Sequence, residues 1–242
     1  MLHSMDKNVA AIRAELEKLN LSDNTIFVFT SDNGAMEAGS SLPLRGHKHT
    51  IYEGGVRLPT VFLWPNGGLV GGRLWDGLCG ALDLFPTLMA MTGSTMPETR
   101  PLDGKNVWPA LRDAQPSPVD SYYFIWRDED AIRTQNWKLH RFFDRFELYD
   151  ITADETESTN VAEAHPDVVR SLAAKMDAWA DSMGVAISHR PAPAKYHAPA
   201  SPEGEVLAIT VTITDQAKPK DRLAINVANW GAIRTILRMK FD

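Results

Sequence analysis

A six-residue run, Thr25-Ile26-Phe27-Val28-Phe29-Thr30, constrains the fold of this 242-residue chain more than any other segment. β-Branched and aromatic residues without polar alternation predict a strand buried on both faces, as in a parallel sheet. Ahead of it, Met5, Val9, Ile12, Leu16 and Leu19 recur at spacings of 4, 3, 4 and 3, the apolar stripe of one helix. Asn20 can stop that helix, and Ser22-Asp23-Asn24 turns the chain. A helix feeding a buried strand is an α/β unit. Open α/β sheets hold their ligands just past the carboxyl ends of strands. Asp32-Asn33-Gly34 follows the strand at that place.

The residues after the strand carry chemistry. Asp32 and Asn33 offer hard oxygen ligands suited to Ca²⁺ or Mg²⁺. Lys48 offers a point positive charge suited to a sulfate or phosphate oxygen. A divalent metal and an ammonium facing one pocket can hold a tetrahedral oxyanion ester. Each piece has a plain reading of its own: Asn-Gly is a common turn pair, and a lone Lys is usually solvated. His47 and His49 flank Lys48. In an extended segment both would point away from a pocket that Lys48 enters, giving them rim or structural roles with substrate contact as the lesser possibility. Arg45 is a weaker candidate for an anionic substrate. Glu53 and Arg57 bracket Gly54-Gly55 and are expected to hold that turn through an ion pair or backbone hydrogen bonds.

The order of these residues resembles the sulfatase family, arylsulfatase-like members of the alkaline phosphatase superfamily. A strand ending in T-[SA]-D-N-G appears here as Thr30-Ser31-Asp32-Asn33-Gly34. The segment G-x-K-x-[TS]-x-Y-E-G-G-x-R-x-P appears as residues Gly46 to Pro59, with Lys48, Tyr52, Glu53, Gly54, Gly55 and Arg57 in register. Asp83-Leu84-Phe85-Pro86-Thr87-Leu88 and Leu102-Asp103-Gly104 resemble a helix start and a turn of the same family. Trp137-Lys138-Leu139, Glu147-Leu148-Tyr149-Asp150 and Asn160-Val161-Ala162 resemble the hairpin and loop of its smaller C-terminal subdomain. The likeness runs over roughly residues 1 to 185.

The resemblance implies a sulfuric ester hydrolase acting on aryl or carbohydrate sulfates. It implies Ca²⁺ or Mg²⁺ on Asp32 and Asn33, with Lys48 as catalytic and substrate-binding residue. Family members use a formylglycine made from the Cys or Ser of a C-x-P-x-R motif, and two acidic metal ligands early in the chain. The single cysteine, Cys79, is followed by Gly80-Ala81-Leu82-Asp83 and lies outside that motif. It reads as a small buried hydrophobe. The chain therefore resembles the C-terminal portion of a sulfatase, truncated or encoded separately, with the formylglycine expected in an N-terminal half. By itself it is expected to be inactive. Two alternatives stay open: a phosphodiesterase or phosphonate hydrolase of the same superfamily, and a non-catalytic split or degenerate gene product. A full-length bacterial relative would be periplasmic or secreted. The opening Met-Leu-His-Ser-Met does not read as a signal peptide.

Composition is ordinary for a soluble globular protein, with 44% hydrophobic and 23% charged residues. A net charge of −6 argues against a general nucleic-acid binder. No apolar stretch reaches the roughly 18 residues of a membrane span. Residues 1–115 read as the later part of an alkaline-phosphatase-like α/β domain. Residues 116–185 read as a small α+β subdomain. Its strands fall near 122–126, 131–133, 137–142 and 146–149, and its helix carries Val169, Leu172, Met176, Trp179 and Met183. Residues 186–204 have a Pro/Ala linker composition. Residues 205–242 form a β-rich tail in which Leu207, Ile209 and Val211, then Leu223, Ile225 and Val227, alternate with other residues. A third apolar run spans Ile233 to Phe241.

Overall fold

The computed structural model describes residues 2–36, 39–95, 101–127, 129–142, 145–184, 207–212 and 222–227. The predicted 186–204 linker and the run after Ile233 lie outside them. The architecture is α/β. Helix α1 (Leu2–Lys18) ends as its sequence indicates, with Asn20 in the left-handed region at φ 55°. None of its described residues is buried, and Met5, Ile12 and Leu19 are exposed.

The strand after it departs from expectation. Strand β1 (Phe27–Thr30) pairs antiparallel with β2 (Thr60–Leu63), in the register Phe27↔Leu63 to Thr30↔Thr60. None of its residues is fully buried. A continuous apolar run does not distinguish a two-sided parallel strand from one half of an antiparallel ribbon, and here pairing with β2 decided it. The Gly54-Gly55 pair lies inside a one-turn helix, α2 (Glu53–Val56), rather than a reverse turn.

Helix α3 (Ala81–Met91) begins one turn earlier than Leu84. Asp83 is its third residue, and its carboxylate reaches back to the Gly80 N–H at 2.9 Å. Pro86 is in the second turn. Asp83 is also bonded by the Tyr122 hydroxyl and, at 2.7 Å, by the Lys105 N–H. This buried carboxylate is structural: it ties the helix start to the loop before α4 (Trp108–Asp113) and to β3 (Ser121–Trp126). Gly93, at φ 65°, follows the end of α3.

Strands β3, β4 (Glu129–Thr134), β5 (Trp137–Arg141) and β6 (Phe146–Asp150) form an antiparallel meander in sequence order. Helix α5 (Pro166–Met183) covers one face. Ile132, Leu139 and Leu148 from the sheet meet Leu172 and Met176 from the helix, the main apolar core. Trp179 stacks on Tyr123 at 4.7 Å between ring centroids. Met183, at the end of the predicted stripe, is exposed, and Ala180 takes the buried place one turn earlier. Strands β7 (Leu207–Thr212) and β8 (Arg222–Val227) pair antiparallel with each other. Among the described residues no helix is long and apolar enough to cross a membrane.

Candidate functional site

Beyond β1, the Asp32-Asn33 loop is locked by short polar contacts. Ser31 Oγ donates to the Asn33 carbonyl at 2.9 Å, and the Asn33 amide donates to the Asp32 carboxylate. The loop then meets the 45–56 segment backbone to backbone. The Gly34 N–H donates to Gly55 O at 2.9 Å, and the Lys48 N–H donates to Ala35 O at 2.8 Å. The Gly54 N–H closes onto Arg45 O at 2.7 Å. Glycine is required at this seam. A Cβ on Gly34 would overlap the Gly54 carbonyl, and one on Gly54 would sit 2.6 Å from Arg45 O. The sequence-predicted Asp32, Asn33 and Lys48 are thus on two loops joined by main-chain hydrogen bonds. Among the described residues no hydrogen bond or ion pair engages the Lys48 ammonium.

The flanking histidines have local partners. His47 Nδ1 lies 2.6 Å from the Lys48 carbonyl, and the His47 N–H donates to Thr50 Oγ1 at 3.1 Å. His49 has φ 73°, and its ring lies 5.2 Å from the Trp126 ring. A left-handed residue interrupts an extended segment, so simple alternation about Lys48 does not hold. Arg45 is occupied. It donates to the Tyr149 hydroxyl at 2.9 Å and the Glu157 carbonyl at 3.0 Å, and its guanidinium lies 4.0 Å over the Tyr52 ring.

Of the two ways in which Glu53 and Arg57 were expected to hold the Gly54-Gly55 turn, the backbone hydrogen bond is present and the ion pair is not. The Arg57 N–H caps α2 on Glu53 O at 2.7 Å, and its guanidinium pairs with Glu155 at 2.9 Å. The buried Glu53 carboxylate takes Lys138 at 2.9 Å and Arg133 at 3.3 Å. Burial works against this charge, but Lys138 and Arg133 outweigh it and hold the carboxyl below its ordinary pKa. Lys138 also lies 3.2 Å from Glu157, and His140 Nε2 lies 2.8 Å from the same carboxylate oxygen. Burial pushes the His140 pKa down despite the bond to Glu157, so the ring is neutral near pH 7. With the proton on Nε2 for Glu157, buried Nδ1 has no partner.

Sequence reasoning missed this charged layer. It read Lys138 only as part of a family pattern and gave Arg133, His140 and Glu157 no functional role. The available signal was alternation in Trp137-Lys138-Leu139-His140. Leu139 faces the α5 core, which puts Lys138 and His140 on the opposite face of a central strand.

Cys79 is half-buried, and burial followed by the nearby Asp83 carboxylate pushes its thiol up to about 12. That suits a packing residue rather than a reactive one. Among the described residues no three acidic, His or Cys side chains converge as a metal site. Asp32 and Asn33 fit a divalent cation as a partial donor set: two oxygen-bearing side chains of the roughly 6 to 8 ligands that Ca²⁺ takes. An open groove of about 910 Å³ between Trp75, Gln115, Trp137 and Lys175 includes none of Asp32, Asn33 and Lys48 in its lining.

Comparison with known proteins bears on the family and fold of the chain. Residues 1–94 match the Sulfatase family model. The chain belongs to the sulfatase family. Human arylsulfatase A is 35% identical over 164 residues, covering 63% of this chain and 32% of that protein. The N-acetylgalactosamine-6-O-sulfatase of Bacteroides thetaiotaomicron is 30% identical over 199 residues, covering 69% of this chain and 39% of that one. The crystal structure of Ps i-CgsB in complex with k-i-k-neocarrahexaose superposes with a TM-score of 0.69 at 30% identity, over 74% of this chain and 41% of that one. The fold is thus that of the sulfatases, and this sulfatase chain spans about a third of the length of the curated relatives it matches.

Proposed function

We propose that this chain carries the metal-and-lysine part of a sulfatase site that hydrolyses sulfate esters of carbohydrates or aryl alcohols. The observation that carries the reading is the 2.8 Å bond from the Lys48 N–H to Ala35 O. It anchors the lysine loop two residues from Asn33. Asp32 and Asn33 would hold a divalent cation, which when bound polarises sulfate oxygens. The Lys48 ammonium would lie against another oxygen of the ester and offset negative charge as the S–O bond breaks. The backbone bonds between the two loops fix the loops that carry these groups to one another, which supports a site built before substrate arrives.

Sulfatases generally use a formylglycine nucleophile, and Cys79 does not stand in the motif that yields one. The nucleophile and the remaining metal ligands therefore come from polypeptide other than this sequence, and this chain alone does not turn over sulfate esters. The Bacteroides relative and the carrahexaose-bound neighbour favour a carbohydrate substrate over a simple aryl sulfate. A phosphonate ester is the second reading. The phosphonate monoester hydrolase of Agrobacterium radiobacter superposes with a TM-score of 0.58 at 26% identity, and a metal with a lysine serves either ester.

A chimera tests this. Residues 1–184 replace the corresponding stretch of the Bacteroides N-acetylgalactosamine-6-O-sulfatase, and release of sulfate from a 6-sulfated sugar is measured beside hydrolysis of a phosphonate monoester. Sulfate release that falls at least a hundredfold with Lys48→Ala is the expected result, the scale for losing one preorganised donor. Undiminished turnover in the folded Lys48→Ala chimera removes Lys48 from the site. Preference for the phosphonate selects the second reading.

A further inference from the structure

We propose that Glu157 is the positioning residue for Lys48, gripping both ends of the loop that carries it. The inference rests on the reading of Lys48 above for its catalytic meaning, but its geometry stands independently. One oxygen of the Glu157 carboxylate accepts the Glu53 N–H at 2.5 Å, at the start of α2. The Glu157 carbonyl accepts Arg45 at 3.0 Å, on the other side of the loop. The Gly54 N–H to Arg45 O bond at 2.7 Å closes the ring. Residues 45 and 53 are therefore both fixed to a single residue, and Lys48 lies between them.

Glu157 is suited to this and to little else. It is completely buried, on the loop between β6 and α5, and has φ 53°. A non-glycine residue in the left-handed region is strained and persists only when its surroundings fix it. The surroundings here are the loop on one side and Lys138 and His140 on the other, at 3.2 and 2.8 Å. Lys138 then bonds Glu53 at 2.9 Å, so the loop's far end is held twice, through its amide and through its side chain. Glu157 itself touches no candidate metal ligand. Its effect reaches Lys48 through Arg45, Glu53 and the Gly34–Gly55 seam.

Amide hydrogen exchange on the full 242-residue chain separates positioning from plain stability. Glu157→Gln and Glu157→Asp are compared with Leu172→Ala, a core deletion on the α5 face. Unfolding midpoints are matched by adjusting denaturant. Exchange at the Gly34, Lys48 and Gly54 amides should accelerate at least tenfold in the Glu157 variants and not in Leu172→Ala. Equal acceleration in all three, or none in the Glu157 variants, overturns the proposal. Glu157→Asp should be milder than Glu157→Gln if charge to Lys138 matters most, and harsher if reach to the Glu53 amide does. In the chimera, Glu157→Gln should lower kcat tenfold or more with KM within threefold. Local exchange that accelerates while Lys48→Ala leaves turnover intact would keep Glu157 as the loop clamp and reject only the catalytic role of Lys48.

Discussion

Lys138 and Glu53 meet at 2.9 Å with side chains 0% and 3% exposed, joining the small sheet to the start of α2. Both charges sit in a low-dielectric layer where their neutralisation is mutual. Removing Lys138 leaves Glu53 with Arg133 alone and takes the ammonium from Glu157, a loss approaching the roughly 3–5 kcal/mol typical of a broken buried pair. Lys138→Met should destabilise the chain on that scale. Lys138→Met with Glu53→Gln should recover much of the loss. Urea unfolding of the two single variants and the double variant measures the coupling. Additive effects would show that the pair is not energetically linked.

Gly34→Ala should be more damaging than its exposed-loop neighbours suggest. The new methyl would overlap the Gly54 carbonyl, so the seam must open and the Gly34–Gly55 bond is lost. Overpacking of this kind costs about 1–3 kcal/mol. A circular dichroism melt of Gly34→Ala within 1 °C of the parent would mean the seam is softer than its geometry indicates.

Acidification should destabilise the chain in two stages. His140 has a folded pKa below its ordinary 6.5, so its contribution is fully present above 6.5 and is lost as pH falls through the folded value. Glu53 is held below its ordinary 4.5, so its contribution is present above 4.5 and is lost at still lower pH. The melting temperature should decline from about pH 6.5 downward. His140→Gln should flatten the upper part of that decline and leave the lower part. A parent curve flat from pH 7 to 5 would place the His140 charge change elsewhere.

Ca²⁺ should bind this chain in the millimolar range or weaker. Two side chains and one formal charge leave water to complete the shell, which resembles the low-affinity end of oxygen-ligand sites at about 10⁻⁴–10⁻³ M. Titration calorimetry of the chain and of Asp32→Ala gives the comparison. Micromolar affinity abolished by that substitution would require further ligands that converge on Asp32.

Cys79 should react slowly with an aromatic disulfide reagent at pH 8. Its thiol is pushed up to about 12, so the thiolate fraction is small. The rate should rise at least tenfold on unfolding in urea. Equal rates folded and unfolded would contradict the burial and the Asp83 contact together.

Motif order pointed to the two candidate loops that the fold brings together, because a carboxylate, a carboxamide, a lysine and a Gly-Gly pair are local in the chain. The meander β3–β6 and α5 were legible too, since period-2 and period-3.6 apolar patterns survive where one face is buried. β1 was misread because the side chains that would report its partner look alike in parallel and antiparallel pairings. The Glu53–Lys138–Glu157–His140 layer was invisible for a different reason. Its members are separated by up to 104 residues, from Glu53 to Glu157, and a charged residue in a strand signals solvent unless its partner is known. Arg57 shows both sides of this: its backbone bond to Glu53 O was among the expectations, while the partner of its guanidinium, Glu155, is remote in sequence and was not.

The seam between the Asp32 and Lys48 loops is made of amides and carbonyls, with glycine where side chains would intrude. The side chains that brace this seam, Glu157 and Ser41, are few and can be named. Met36 and His47, whose side chains form none of the seam bonds, can be randomised together without touching the left-handed backbone at His49. Placed in the chimera, such a library would explore new esters while the loop that carries Lys48 keeps its place.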